Sequence, residues 1–272
     1  MCFRWRLRRD ILAEMQPSPL PAVVTPGAYG AALSMAAALG VAGCWAGRRH
    51  PGHWTVWAAR ILGAVLLADA VSYFVSVATS GPFSVQSSLP LPLCDVATVV
   101  AAAACFWPAG LLVELTYFWG LAGTLQAVAT PDLGVGFPHL VFFQYVVAHF
   151  GIVLAALFLV IGMGKRPQRR AAPRVLVLTA AYTAVVGLVD WLTGADYMFL
   201  SSKPASWSLL SVLGPWPWYT LSAAGVAIVL VTALDAPFWP GHRRQASSSA
   251  VTGPPGVPAP HGLPPSAPRP AH

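Results

Sequence analysis

The sequence predicts an all-α membrane protein, a polytopic bundle of about seven transmembrane helices. Three observations predict it. Of 272 residues, 56% are hydrophobic and only 9% are charged, whereas a soluble globular domain carries about 25% charged residues. The mean hydropathy is +0.64. Apolar runs recur along the chain, bounded by charges or prolines and near the roughly 20 residues that a span requires. This composition excludes an ordinary soluble domain, a disordered chain and a disulfide-stapled secreted domain.

The elements follow in order. Residues 1–25 read as a basic N-terminal tail with Arg4, Arg6, Arg8 and Arg9. No apolar run follows before Asp10 and Glu14, so this is not a secretory signal, and Met15 is an alternative initiator. Span one is expected at 26–45, span two at 54–79 and span three at 83–107. Pro90 and Pro92 should kink span three just before Cys94. Span four is expected at 109–128, span five at 139–163, span six at 174–193 and span seven at 216–239. Residues 26–239 thus form one membrane domain. Trp45, Trp54, Trp107, Trp216, Trp218 and Trp239 sit near the span ends, as interfacial aromatics do. Residues 240–272 are rich in Pro, Ser and Gly and read as a disordered cytoplasmic tail.

The net charge of +7 would suggest a nucleic-acid partner in a soluble protein. Here the basic residues cluster between apolar runs, which instead sets topology. Arg48, Arg49, Lys165, Arg166, Arg169, Arg170, Arg174, Arg243 and Arg244 all fall on one side of a seven-span bundle. That side is expected to be cytoplasmic, with the N-terminus outside and the C-terminus inside a multi-pass cell-membrane protein. The partners are membrane lipids, as substrate or environment, and no nucleic acid.

Ionisable groups inside spans are costly and mark either function or a buried pair. Arg60, Glu114 and Asp235 fall within about two turns of the cytoplasmic end, where snorkelling is expected. Asp69, Cys94, Asp95, His149 and Asp190 lie deeper. At about 1.5 Å per residue, all five reach the middle or outer half of the bundle from four different spans. A thiol beside an imidazole is the minimum for nucleophilic acyl transfer, with the thiolate attacking and the imidazole taking the proton. Read singly, Cys94 is a small apolar packer, and Asp95 and Asp190 are partners for Arg60, Tyr197 or a backbone group. Spacing alone does not pair Cys94 with His149.

Other chemistries find less support. The cysteines, Cys2, Cys44, Cys94 and Cys105, contain no CxxC pair, so neither a zinc site nor a disulfide framework is indicated. His139 and His149 lie roughly 280° apart around a helix, and no metal or cofactor is expected. A retinal Schiff base needs a lysine in the last span, and span seven has none; Lys203 precedes it. The stretch from Asp190 to Tyr219 combines Gly, Pro, Lys and aromatics at the outer face. It reads either as an interfacial loop or as a lid with Lys203 available to a lipid phosphate. The excess of Ala, Gly, Pro and Arg fits a GC-rich bacterial genome.

Several stretches carry a resemblance. LPLPLCD at 89–95, FWGLAGTLQAVATPDL at 118–133, AHFGIVLAALFLVIG at 148–162, TGADYMFLSSKP at 193–204 and LGPWPWY at 213–219 resemble the YwaF-like family of integral membrane proteins. The resemblance covers roughly residues 50–240. It implies kinship with an animal membrane acyltransferase that remodels ether phospholipids through a cysteine and a histidine. By that resemblance Cys94 matches the cysteine and His149 the histidine. More distant relatives imply hydrolysis of fatty-acid esters. Two departures stand out: Pro92 occupies a position where the family often has histidine, and Asp196 one where it usually has asparagine.

The leading expectation is therefore a membrane-embedded acyl-transfer enzyme, an acyltransferase or ester hydrolase acting on phospholipid or fatty-acyl esters. Cys94 is the expected nucleophile and His149 the base. Asp95 or Asp190 orients the histidine, and Gln126 or Gln144 donates to the oxyanion. Asp69, Asp196, Tyr197 and Lys203 complete the expected substrate-binding set. The alternative is a non-enzymatic small transporter or lipid-binding scaffold, in which Asp69, Asp95, His149 and Asp190 relay protons or cations.

Overall fold

A computed structural model describes residues 25–79, 81–204 and 207–239. The expected tails, 1–25 apart from Thr25 and 240–272, lie outside the described residues. The described residues up to Pro237 belong to one compact unit.

Seven principal helices follow the apolar runs. They are α1 (Pro26–Arg49), α2 (His53–Thr79), α3 (Leu93–Phe106), α4 (Gly110–Ala129), α5 (Leu140–Gly162), α6 (Ala171–Thr193) and α7 (Trp218–Asp235). All but α3 belong to segments long and apolar enough to cross a membrane. The local signals explain their ends. Pro26 opens α1, where its missing N–H costs nothing, and Arg48 and Arg49 close it against the negative end of the dipole. Gly194, at φ +76°, ends α6 in the left-handed conformation that glycine adopts freely.

Span three departs from expectation. Its helix is only 14 residues long, about 21 Å, against a hydrocarbon core of about 30 Å. Residues 81–92 are turns and bends instead. Pro90 and Pro92 do not kink a helix there; Pro92 is the N-cap from which α3 starts. The backbone of 81–92 is satisfied partly within the segment, by the Ser87 and Ser88 N–H groups on the Ser84 carbonyl, and partly from outside. Tyr197 Oη donates to the Val85 carbonyl at 2.6 Å and accepts from the Leu89 N–H at 3.1 Å. Tyr182 Oη donates to the Leu91 carbonyl at 2.7 Å. Gln86 Nε2 donates to the Thr193 carbonyl at 3.1 Å. Irregular backbone persists at a membrane only where such partners exist, and α6 with its following loop supplies them.

Helix α5 is the hub, packing against α1, α2, α3 and α4. Helices α4 and α5 are the most buried, whereas α1, α2, α6 and α7 present apolar side chains outward, among them Val41, Trp57, Ile61, Val177 and Val229. Lipid tails are as apolar as a protein core, so such faces suit a bilayer, and helices associate through close packing rather than hydrophobic burial. Gly63 on α2 illustrates this. A Cβ there would stand 2.8 Å from Cys105 Cβ and 3.1 Å from the Ala102 carbonyl oxygen of α3.

Two π turns interrupt the central helices, Trp119–Thr124 within α4 and Phe158–Gly162 at the end of α5. Such turns arise where an extra residue is accommodated in the helical ladder, frequently at functional sites. Trp119 Nε1 uses the first to donate to Thr179 Oγ1 on α6 at 2.8 Å.

Candidate functional site

A cavity of about 150 Å³ opens between α2, α3 and α5. Asp69 and Tyr73 on α2, Asp95 on α3, and Gln144, Tyr145 and His149 on α5 line it. Spacing explains the arrangement. Asp69 and Tyr73 are four residues apart, as are Tyr145 and His149, so each pair shares one helical face. Asp95 lies in the first turn of α3, which carries it to the same level. Phe74 and Val141 complete the wall; they are 36% and 47% exposed, so the cavity lies near the outward, lipid-facing surface.

The state of His149 follows from its contacts. Its Nδ1 lies 2.8 Å from the Tyr145 carbonyl oxygen. A carbonyl only accepts, so Nδ1 carries the proton and neutral Nε2 keeps a lone pair. The imidazole stacks on the Tyr145 ring, with centroids 4.0 Å apart and planes 26° apart. Tyr145 Oη in turn donates to the Ala127 carbonyl of α4 at 2.8 Å.

Cys94 is half-buried in the first turn of α3. It is not among the cavity-lining residues, although the adjoining Asp95 is. Thr124 of the α4 π turn lies near its thiol. No hydrogen bond joins Cys94 and His149 directly among the described residues.

Other expected site residues take different positions. Gln144 is buried, and its Nε2 donates to Ser72 Oγ at 2.9 Å and Ser76 Oγ at 3.1 Å. Both serine hydroxyls donate to backbone carbonyls, so they accept from the amide. Its two N–H groups are therefore spent on α2, and an oxyanion finds no donor there; the buried Oε1 faces no partner among the described residues. Gln126 is half-buried outside the cavity. Asp190 is buried at the end of α6, where both carboxylate oxygens accept the Tyr197 N–H at 3.2 Å. It does not reach His149, whose Nδ1 a backbone carbonyl already holds.

Asp196, expected at the mouth, closes its own loop by accepting from the Ser201 and Ser202 N–H groups at 3.0 and 2.7 Å and from Ser202 Oγ at 2.5 Å. Tyr197 is buried as a brace for 81–92. Lys203 Nζ donates to the Ser211 carbonyl at 3.3 Å and lies 5.5 Å from the Tyr219 ring centroid. These three residues shape the loop rather than line the cavity.

The snorkelling expected of Glu114 is also corrected. It is fully buried, paired with Arg174, and accepts the Gln168 N–H at 3.0 Å. Arg60 is exposed beside the Trp57 ring, as expected of a snorkelling arginine. Asp235 is 7% exposed.

Sequence reasoning missed Tyr73, Thr124 and Tyr145. Tyr145 carried a signal, since it stands one helical turn before His149. Thr124 carried none, because its place depends on the π turn.

The fold and site define a polytopic α-helical membrane protein with a largely apolar cavity among its helices, lined also by Asp69, Asp95 and His149. The chain belongs to the TMEM164 family, whose sequence profile matches residues 22–235. No curated protein and no solved structure matches the chain significantly.

Proposed function

We propose that this chain is a membrane-embedded acyl-transfer enzyme acting on phospholipid or fatty-acyl esters, with Cys94 as nucleophile and His149 as base. One observation carries the reading: His149, its Nδ1–H held by the Tyr145 carbonyl, lines the same cavity as Asp95, the residue that follows Cys94 in the first turn of α3. The resemblance of the LPLPLCD and AHFG stretches to the YwaF-like family supports the same two residues.

The lone pair of His149 Nε2 takes the Cys94 thiol proton, and the thiolate attacks the ester carbonyl of a lipid. The carbon–oxygen bond to the leaving alcohol breaks, the imidazolium returns the proton to that oxygen, and a thioester remains. An acceptor hydroxyl, or water in a hydrolase, then gives its proton to His149 as its oxygen attacks the thioester carbonyl, the carbon–sulfur bond breaks, and the imidazolium returns the proton to the leaving sulfur. The positive end of the α3 dipole favours negative charge at Cys94. Exposed Phe74 and Val141 in the cavity wall support entry of acyl chains sideways from the bilayer. The basic loops support an orientation with the N-terminus outside and the C-terminus in the cytoplasm.

The test is intact-protein mass spectrometry after incubation with mixed phospholipids in detergent. The wild-type chain should gain a fatty-acyl adduct that hydroxylamine removes, and Cys94→Ala and His149→Ala should lack it. Absence of any adduct, together with resistance of Cys94 to alkylating reagents, overturns the reading. Asp69 and Asp95 within the same cavity as His149 favour the second reading, a proton or cation relay in a small transporter.

A further inference from the structure

The carboxylates expected to orient His149 do not hold its ring, and the structure points to a different residue. We infer that Tyr145 is the positioning residue of the site, fixing the plane of His149 and tying it to the α4 segment that follows the π turn. The inference rests on the acyl-transfer reading and deepens it.

Three contacts meet at this one residue, two through its side chain and one through its backbone carbonyl. The phenol ring stacks on the imidazole at 4.0 Å. The Tyr145 carbonyl holds Nδ1–H at 2.8 Å, which leaves Nε2 as the acceptor. That bond is worth little if the ring is free to swing, because χ2 of a histidine is broad; the stacked phenol removes this freedom. The hydroxyl is tied to the Ala127 carbonyl at 2.8 Å, three residues beyond Thr124. Thr124 in turn lies near the Cys94 thiol. A single side chain thereby links the base on α5 to the helical turn of α4 that directly follows the π turn holding Thr124. Simple filling of space requires neither the hydroxyl bond nor the near-parallel stack.

The two substitutions separate these parts. Tyr145→Phe keeps the stack and loses the tie to Ala127, whereas Tyr145→Leu loses both. The full-length chain is labelled with ¹⁵N in its histidine rings and reconstituted in nanodiscs, and the His149 signal is identified by its absence in His149→Ala. Wild type should show one neutral tautomer with the proton on Nδ1. Tyr145→Leu should show exchange-averaged ring shifts, and Tyr145→Phe should stay close to wild type. Initial thioester formation should fall about tenfold in Tyr145→Leu and severalfold in Tyr145→Phe, with thermal midpoints recorded to set aside unfolded protein. A single unchanged tautomer in a folded Tyr145→Leu overturns the inference, whether or not acylation falls. If the tautomer changes as expected but wild type forms no thioester, positioning by Tyr145 stands and the acyl-transfer reading falls.

Discussion

Glu114 on α4 and Arg174 on α6 form an ion pair in which the carboxylate is fully buried and the guanidinium side chain is 41% exposed. The asymmetry predicts unequal mutants. Arg174→Ala strands a buried charge that keeps only the Gln168 N–H, and should cost about 2–4 kcal/mol. Glu114→Gln retains an acceptor for that N–H and lets Arg174 turn to water, so it should cost about 1 kcal/mol. The double variant should resemble Glu114→Gln rather than the sum. Reversible unfolding in detergent, arranged as a double-mutant cycle, measures this. Equal single-mutant losses would show that stranding the Glu114 charge costs no more than removing it.

Tyr197 supplies the second prediction. Its hydroxyl serves both the Val85 carbonyl and the Leu89 N–H, so Tyr197→Phe leaves two backbone groups of 81–92 without their partner. The loss should be about 1–3 kcal/mol, concentrated in that segment. Hydrogen exchange should quicken at Leu89 while the amides of α4 and α5 stay protected. Uniform quickening across the bundle would mean that Tyr197 supports the core instead of the segment.

Much of the bundle was legible because each helix is its own hydrophobic run. The expected limits of spans one, two, four, five and six fall within a few residues of α1, α2, α4, α5 and α6. Span three was not legible in the same way. Residues 83–92 adjoin the apolar run of α3 but hold Ser84, Gln86, Ser87, Ser88, Pro90 and Pro92, and Tyr197 and Tyr182, about a hundred residues away, partner their irregular backbone. The site divides along similar lines. Asp69, Asp95, Gln144 and His149 were named from polarity and depth, and they do share a cavity. Asp190 had the same polarity and depth, but its carboxylate faces the local Tyr197 N–H. Depth along an axis says nothing about rotation around it, and a seven-residue bond at a helix end decided the matter.

Gly63 gives the third prediction. The α2–α3 contact allows no Cβ at this position without movement of Cys105 or the α3 backbone. Gly63→Ala should therefore lower stability by about 1–3 kcal/mol and displace the helix that carries Asp95 and Cys94. Cys105→Ala would leave its Cβ in place, so it should not rescue the variant. The expected result is a lower thermal midpoint in both Gly63→Ala and the double variant. Full rescue by Cys105→Ala would locate the clash at the thiol rather than at the closely packed backbones.

Asp190 and Asp95 separate a structural carboxylate from a site carboxylate. Asp190→Asn keeps an oxygen to accept the Tyr197 N–H, so thioester formation should stay within about twofold of wild type, with a stability cost near 1 kcal/mol. Asp190→Ala removes the acceptor and should loosen residues 194–204 for about 1–3 kcal/mol. Asp95→Asn should act differently. It changes charge within the cavity and beside Cys94, and no hydrogen bond to its carboxyl among the described residues makes it a structural brace. Acylation should change by at least severalfold in Asp95→Asn while the thermal midpoint moves little. The measurement is the initial rate of hydroxylamine-sensitive adduct formation, normalised to folded protein. A large rate loss in Asp190→Asn with none in Asp95→Asn would reverse the two assignments and return Asp190 to the reacting site.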